Sequence, residues 1–437
     1  MLSVLKRALY AVLFLVTVLA VLINWPLAEY TSIPSSGPTV ISNVTVIDVK
    51  TGQSSANKDV FLRDGKIAQV IDYVPDQVSS ELNVIDARGK FLIPGLWNMH
   101  THSWKLSAQL HHPLHVAHGI TSVRDMSGCL HKDDEFWACP SDRQRWNQEM
   151  MAAQRVSPGY VQQSSYQTNG GNEVPSSFPS FFKLSDDGDA AKLADFYLER
   201  GVESIKPYTD LSREQYFSLV KAASDRGLRI AGHRPVRISL TEAIAAGQSS
   251  IEHGRLFLFE CSDVAAEFRQ HPNPVSLFDA DFKLNSVEQR SVESCAMLME
   301  EMADSETWWT PTLTTLAMGT HARDDEDQND LRLDYVPWMQ KALFWNQDIS
   351  QTIRRGYASN GVYANDVFFE QAKKDVAMAE QAGIKILVGT DTTDTYVFTG
   401  SSMHDEMQMM ADAGLSTQRI LKAATIDAAV YSGLDRE

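Results

Sequence analysis

Residues 91–104 read FLIPGLWNMHTHSW: an apolar run, a Pro-Gly step, and then His100 and His102 two positions apart. Side chains in a strand alternate with period two, so both rings leave one strand end in the same direction. They are either two ligands for one ion or two polar residues that close a strand, and the pair alone leaves both readings open. The rest of the chain decides, by how often an apolar strand ends in a polar side chain.

That pattern recurs. Further strand candidates are GITSVRD at 119–125, VSPGYVQQSSY at 156–166, VESIKPY at 202–208 and GLRIAGH at 227–233. They continue with QSSIEH at 248–253, TWWTPTL at 307–313 and GIKILVGTD at 383–391. The segments between them carry helix signals: capping boxes at Ser212–Gln215 and Ser239–Glu242, and Gly227 and Gly247 where a glycine ends a helix. Strand and helix alternating over eight strands predict an α/β chain with a (β/α)8 TIM-type barrel, whose strand C-termini share one rim. On that rim stand His100, His102, Lys206, His233, His253 and Asp391. Buried ionisable groups need partners, and a metal ion would reconcile six of them at one mouth.

The flanks differ. Short Val- and Ile-rich runs over 38–94 are broken by Thr51-Gly52, Asp64-Gly65 and Arg88-Gly89, which predicts a small β-sandwich-like domain at about 36–93 before a barrel at 94–435. A helical insertion is expected at about 314–375, because a structureless loop of that length is improbable in a compact domain. Its aromatic residues either pack extra helices or form a lid or interaction surface. Ahead of the body, Lys6 and Arg7 precede an uncharged run, Ala8 to Ala28. Residues 1–35 therefore read as a membrane anchor or a signal segment, with the body exported and periplasmic or otherwise extracytoplasmic. Such a compartment permits disulfides, Cys129 with Cys139 and Cys261 with Cys295, although four free thiols are the alternative. The net charge of −17, from 56 acidic and 39 basic residues, argues against a nucleic-acid partner.

PGLWNMHTH, GITSVRDM, SIK, AGHRP, SSIEHG, VGTDT and HDEMQMMADAGLSTQRILKAAT, in that order, resemble the amidohydrolase superfamily. The likeness is to its metal-dependent dipeptidase, prolidase-like and imidazolonepropionase-related branch, and runs over residues 38–435. It implies two divalent ions, zinc above all: His100, His102 and Asp391 at the inner one, His233 and His253 at the outer, and Lys206 as an N6-carboxylysine bridge. An ammonium has no acceptor with which to ligate, so an uncarboxylated Lys206 implies a mononuclear site instead. Metal-activated hydroxide would attack an amide or peptide C–N bond of a dipeptide or N-acyl amino acid, with Asp391 moving the proton. The same ions would serve a lactone, ester or organophosphate substrate, and a non-catalytic metal-stabilised binding protein is the reading from another class. Homo-oligomers are compatible with all of these.

Around the ligands, Tyr208 shares a face with Lys206 and either holds an oxyanion or substrate carboxylate or packs. Arg234 either binds an anion or pairs with acids. Arg124 and Asp125 read as structural, and His404 and Glu406 as groups that fix a loop. His111, His115 and His118 form a stripe that Pro113 disturbs, so helix packing is favoured over a second metal. Relatives usually add C-terminal strands to the sandwich. After AAVYSGLDRE these are missing, so either the small domain is reduced, with an exposed edge that needs cover, or the chain is incomplete.

Overall fold

The computed structural model describes residues 2–23, 27–28, 30–31, 37–75, 82–130, 134–270, 279–324 and 328–436. A helix covers Leu2–Ile23. Among the described residues no helix is long and apolar enough to cross a membrane.

The small domain is a mixed five-stranded sheet built from β1 (Thr39–Ile47), β2 (Ser54–Arg63), β3 (Lys66–Asp72), β4 (Asn83–Asp86) and β5 (Phe91–Leu92). Their order is β3-β2-β1-β4, with β5 also paired to β1. Burial alternates along β1, the mark of a strand with one covered face. Val44, Val60 and Ala87 form its core. All seven residues of β3 are exposed. Where two packed layers were expected, the described residues therefore form one sheet, and its outer strand has no cover on either face.

From Leu96 the chain alternates short parallel strands with helices. β6 (Leu96–Thr101), β7 (Ile120–Asp125) and β8 (Gly159–Gln163) make one sheet. β9 (Ser204–Ile205), β10 (Arg229–Gly232), β11 (Ser250–Glu252) and β12 (Trp308–Thr310) make a second. Single parallel bridges join them, Ser164 to Ser204 on one side, and Trp309 to Ile386 and Thr101 to Thr392 on the other. The expected eighth strand is thus a segment held by isolated hydrogen bonds: the Leu387 amide donates to Trp309, and the Met99 amide to Val388. A continuous ladder fails there because the chain turns sharply at Asp391, whose φ is 63°. The architecture is α/β with parallel sheets whose polar strand ends face one side. Behind those ends lies one large apolar core, with Ile205, Ile251, Trp309 and Ile386 among its most buried members.

Between β12 and Asp391 the described chain is largely helical. Helices cover Leu313–His321, Asn346–Arg355 and Ala364–Ala382, with shorter turns between; residues 325–327 of its acidic run lie outside the described set. Its aromatics divide between the two expectations. Trp345, Tyr363 and Phe368 are buried, whereas Tyr335, Trp338, Phe344 and Tyr357 are exposed. Gln340 donates to the Thr393 carbonyl (3.2 Å), so the insertion leans on the loop that follows Asp391.

Candidate metal centre

All six rim residues meet. His100 and His102 leave the end of β6 and each places Nε2 beside Asp391 Oδ1, at 3.2 and 3.1 Å. Lys206, just past β9, brings its Nζ to 3.4 Å from His102 Nε2. His253, just past β11, lies with Nδ1 3.7 Å from Asp391 Oδ2 and with Nε2 2.9 Å from Nε2 of His233. The contacts therefore run unbroken from Lys206 through His102, Asp391 and His253 to His233. Ligand atoms of His100, His253 and Asp391 lie within 4.8 Å of one another.

Burial sets the charge states. It lowers His102 to about 3, with the Lys206 ammonium adding to the effect, and it holds His233 and His253 well below the usual imidazole range. At neutral pH these rings are uncharged, the form that ligates. Burial would raise the Asp391 carboxyl, but His100 and His102 outweigh it and hold it well below its ordinary value. Burial also lowers Lys206, against the nearby carboxylates. His100 is the exception among the histidines: Asp391 and then Glu252 outweigh its burial and raise it.

Two observations fit this cluster to a divalent cation. His100 Nε2 is buried and faces Asp391 Oδ1 at 3.2 Å without forming a hydrogen bond. Nε2 of His233 and Nε2 of His253 face each other at 2.9 Å, a close approach of two acceptors unless a proton or a cation is shared. Neutral imidazole nitrogens with a carboxylate are also the donor set that zinc takes.

The supporting shell was harder to read in sequence. Glu252, one residue before His253, accepts from His100 Nδ1 (2.9 Å) and so turns Nε2 toward Asp391. Arg124 is fully buried and gives Nη2 to both Glu252 oxygens, at 2.8 and 2.9 Å. It also donates to the Met99 carbonyl, Ser250 and Tyr431 (2.6, 2.8 and 3.0 Å), so one side chain ties β6, β11 and the C-terminal helix Ile426–Ser432 together. Burial would raise the Glu252 carboxyl, but Arg124 and then His100 hold it at about 2. The available signal was a charge inside each apolar strand, Arg124 in ITSVRD and Glu252 in SSIEH.

Other predicted residues find definite places. Tyr208 stacks on His233 with ring centroids 4.1 Å apart, and burial pushes its phenol up to about 12. Arg234 is engaged by Glu260 at 2.9 Å and takes the structural role. Asp125 pairs with Arg143 at 2.8 Å and accepts from the Ser103 and Ser127 amides. Glu406 accepts from the Leu313 and Thr314 amides, both at 2.8 Å, capping the helix that starts beside the site. His404 meets the His118 carbonyl at 3.0 Å. His111 bonds Ser107 (2.8 Å), and His112, which the sequence reading passed over, bonds Tyr160 (2.8 Å). The stripe thus packs inside the fold. Cys129 is bonded to Cys139 and Cys261 to Cys295. The first bridge closes the loop that sets Trp137 edge-on to His102, with centroids 6.1 Å apart.

Residues 91–437 match the family model described as Amidohydrolase family. A curated relative, N-acetylglucosamine-6-phosphate deacetylase of Lysinibacillus sphaericus, is 34% identical over 95 residues. That match spans 19% of this chain and 22% of the relative. Among solved structures, the bottromycin amidohydrolase aligns with a TM-score of 0.66 at 20% identity, over 92% of this chain and 80% of its own. A structure described as a putative prolidase from Bifidobacterium longum aligns at 0.59 and 18%, over 92% and 86%. A Xaa-Pro dipeptidase with bound methionine aligns at 0.58 and 16%, over 92% and 90%. At these identities the likeness is one of fold, of TIM-barrel type.

Proposed function

The chain belongs to the amidohydrolase family, and from that premise we propose that it is a metal-dependent hydrolase of an amide or peptide C–N bond in a dipeptide or N-acyl amino acid. The observation that carries this reading is the single run of contacts from Lys206 to His233, with buried, neutral imidazoles around one carboxylate. His100, His102 and Asp391 would hold one divalent ion, and His233 with His253 a second. A bound divalent metal supplies Lewis acidity toward a carbonyl oxygen and lowers the pKa of water to about 7.

The chain's own groups do the rest. Asp391, with Oδ1 beside Nε2 of His100 and of His102, takes the proton of the attacking water and returns it to the leaving nitrogen. Glu252 and Arg124 fix the orientation of His100, which keeps Asp391 Oδ1 in register with both β6 histidines. Tyr208 keeps its proton at neutral pH and donates toward an oxygen of the substrate. Lys206 lies within a site that lowers its charge, which favours the free amine. That amine would add carbon dioxide to give a carbamate and a proton, and the carbamate, one negative charge shared by two oxygens, would supply the ligand oxygens that an ammonium lacks. On the Leu2–Ile23 side, an export signal or anchor would carry the body into an oxidising compartment, which the two disulfides suit.

The test combines metal analysis, with and without chelator, and hydrolysis of matched amide, lactone, ester and phosphotriester substrates. Metal-dependent amide turnover supports the reading, and preference for a lactone or phosphotriester overturns its substrate half. Asp391→Asn should retain much of the metal and lose turnover by roughly 100-fold or more, the scale of general acid–base catalysis. Unchanged turnover in that variant removes the role given to Asp391.

A further inference from the structure

Arg255 stands two residues beyond His253, where the chain enters the short helix Leu256–Glu260. The arginines set most deeply around the barrel each meet a carboxylate: Arg124 with Glu252 (2.8 Å), Arg143 with Asp125 (2.8 Å), Arg234 with Glu260 (2.9 Å), and Arg290 with Asp375. Arg255 does not. Its one polar approach among the described residues is from Nη2 to His233 Nδ1, at 3.5 Å. A buried or partly buried guanidinium without an anion is costly. Carboxylates are not scarce in a chain with 56 acidic residues against 39 basic ones.

Its surroundings carry both signs, with the Asp391 and Asp394 carboxylates within electrostatic reach but not in ion-pair contact, and Lys283 as a like charge. Arg255 is half-buried and lines a small cleft with Thr209, His233, Arg234, Val236 and Phe259. Glu252 also lines the cleft, but its carboxylate is already held by Arg124. Lys283 gives its Nζ to the Asn365 amide oxygen at 2.7 Å and is likewise without a carboxylate partner among the described residues. Burial, and after it the like charge of Arg255, pushes Lys283 down to about 8. Tyr208 stacks on the same His233 ring that Arg255 approaches, and it lies within electrostatic reach of the guanidinium.

We propose that Arg255 is the receptor for a substrate carboxylate, so that this enzyme selects peptidyl or acyl amino acids with a free acid over their neutral amides. This assignment rests on the amide-hydrolase reading above. Arg255 offers parallel N–H donors to both carboxylate oxygens, with the Tyr208 phenol and the Lys283 ammonium close by. Among the described residues no carboxylate stands at ion-pair distance from Arg255, and the substrate would complete the pair.

The experiment compares N-acetyl-L-leucine with N-acetyl-L-leucinamide on the zinc-loaded full chain and its Arg255→Met and Arg255→Lys variants, with zinc content measured for each. The wild type should favour the acid in kcat/KM by roughly 10- to 100-fold, the scale of hydrogen bonds to a charged group. In Arg255→Met that ratio should collapse toward one, and Arg255→Lys should retain part of it. Equal losses on both substrates in Arg255→Met, or no preference in the wild type, overturn the proposal. Should neither compound be cleaved, the hydrolase reading fails on its own account, and thermal melts decide on Arg255. Stabilisation by the acid and not the amide, present in the wild type and absent in Arg255→Met, sustains the receptor; equal stabilisation of both proteins, or none, overturns it.

Discussion

Glu252→Gln tests the support beneath the site. The substitution keeps the shape of the side chain and an oxygen able to accept from His100 Nδ1, but removes the one carboxylate that Arg124 meets among the described residues. Arg124, with 0% exposure, then holds an uncompensated charge in the barrel interior, and breaking a buried pair in this way costs about 3–5 kcal/mol. The structure gives a second route to the magnitude. The Glu252 carboxyl is held at about 2 against an ordinary 4.5, and at about 1.36 kcal/mol per unit that corresponds to about 3 kcal/mol. Arg124→Met should cost a similar amount for the opposite reason. It leaves the Glu252 carboxylate facing His100 alone, which drives the ring toward imidazolium and lowers metal affinity by roughly 10- to 100-fold. The double variant Arg124→Met/Glu252→Gln strands no charge and keeps an acceptor for His100. Its loss should therefore fall short of the summed single losses by about 2 kcal/mol or more. Urea unfolding followed by tryptophan fluorescence, with refolding shown to be complete, measures the cycle, and metal titration measures the affinity. Additive losses, or a single-variant cost under about 1 kcal/mol, would refute the view that this pair holds the barrel interior together.

Two further outcomes follow from buried groups outside the metal cluster. Burial raises Glu406 from 4.5 to about 7, so its contribution to stability is complete below pH 4.5 and lost as the pH rises through 7. The shift corresponds to about 3 kcal/mol, or roughly 3–4 °C in melting temperature for a chain of this size; Glu406→Gln should flatten the melting profile between pH 5 and 8, and an unchanged slope would contradict the assignment. The Cys261–Cys295 bridge closes 34 residues and Cys129–Cys139 closes 10. Chain entropy then predicts losses of about 4 and about 3 kcal/mol for the respective Ser/Ser pairs, and denaturation midpoints in the reverse order would falsify that ranking.

The rim was legible because each of its residues ends an apolar strand: a His, Lys or Asp after ILVGT or RIAG has no reason to be there except a partner across the mouth. What remained hidden lies where two distant charges cancel. Glu252 and Arg124 are separated by 128 residues, and either one alone in a strand reads as a local salt bridge. The placement of Arg234 was undecidable for a related reason. Its partner Glu260 lies within FLFE, a helix too short to announce which way it faces. The eighth strand was predicted from composition, and composition is right about its burial. The pairing is reduced to isolated bonds because the backbone must swing Asp391 into the mouth, a demand that no propensity scale records.

That swing is one of three at the same place. His253, Thr312 and Asp391 have φ of 79°, 42° and 63°, in the left-handed region that costs an L-residue about 1–2 kcal/mol. Such conformations persist only where the surroundings fix them, and here the fixing bonds are visible. The His253 amide donates to Thr310 (2.8 Å) and the Asp391 amide to His100 (2.9 Å). His253 Nδ1 lies 2.9 Å from Thr312 Oγ1, and immediately after Thr312 the chain enters the helix capped by Glu406. Packing alone would not require these turns, since glycine or a relaxed loop would close the strands at lower strain. They do bring an imidazole and a carboxylate onto one point from two strand ends that regular β geometry would leave apart. Two candidate ligands therefore carry such strain, and the buried Arg124–Glu252 pair, bonded at once to β6 and β11, holds the frame against which it is maintained.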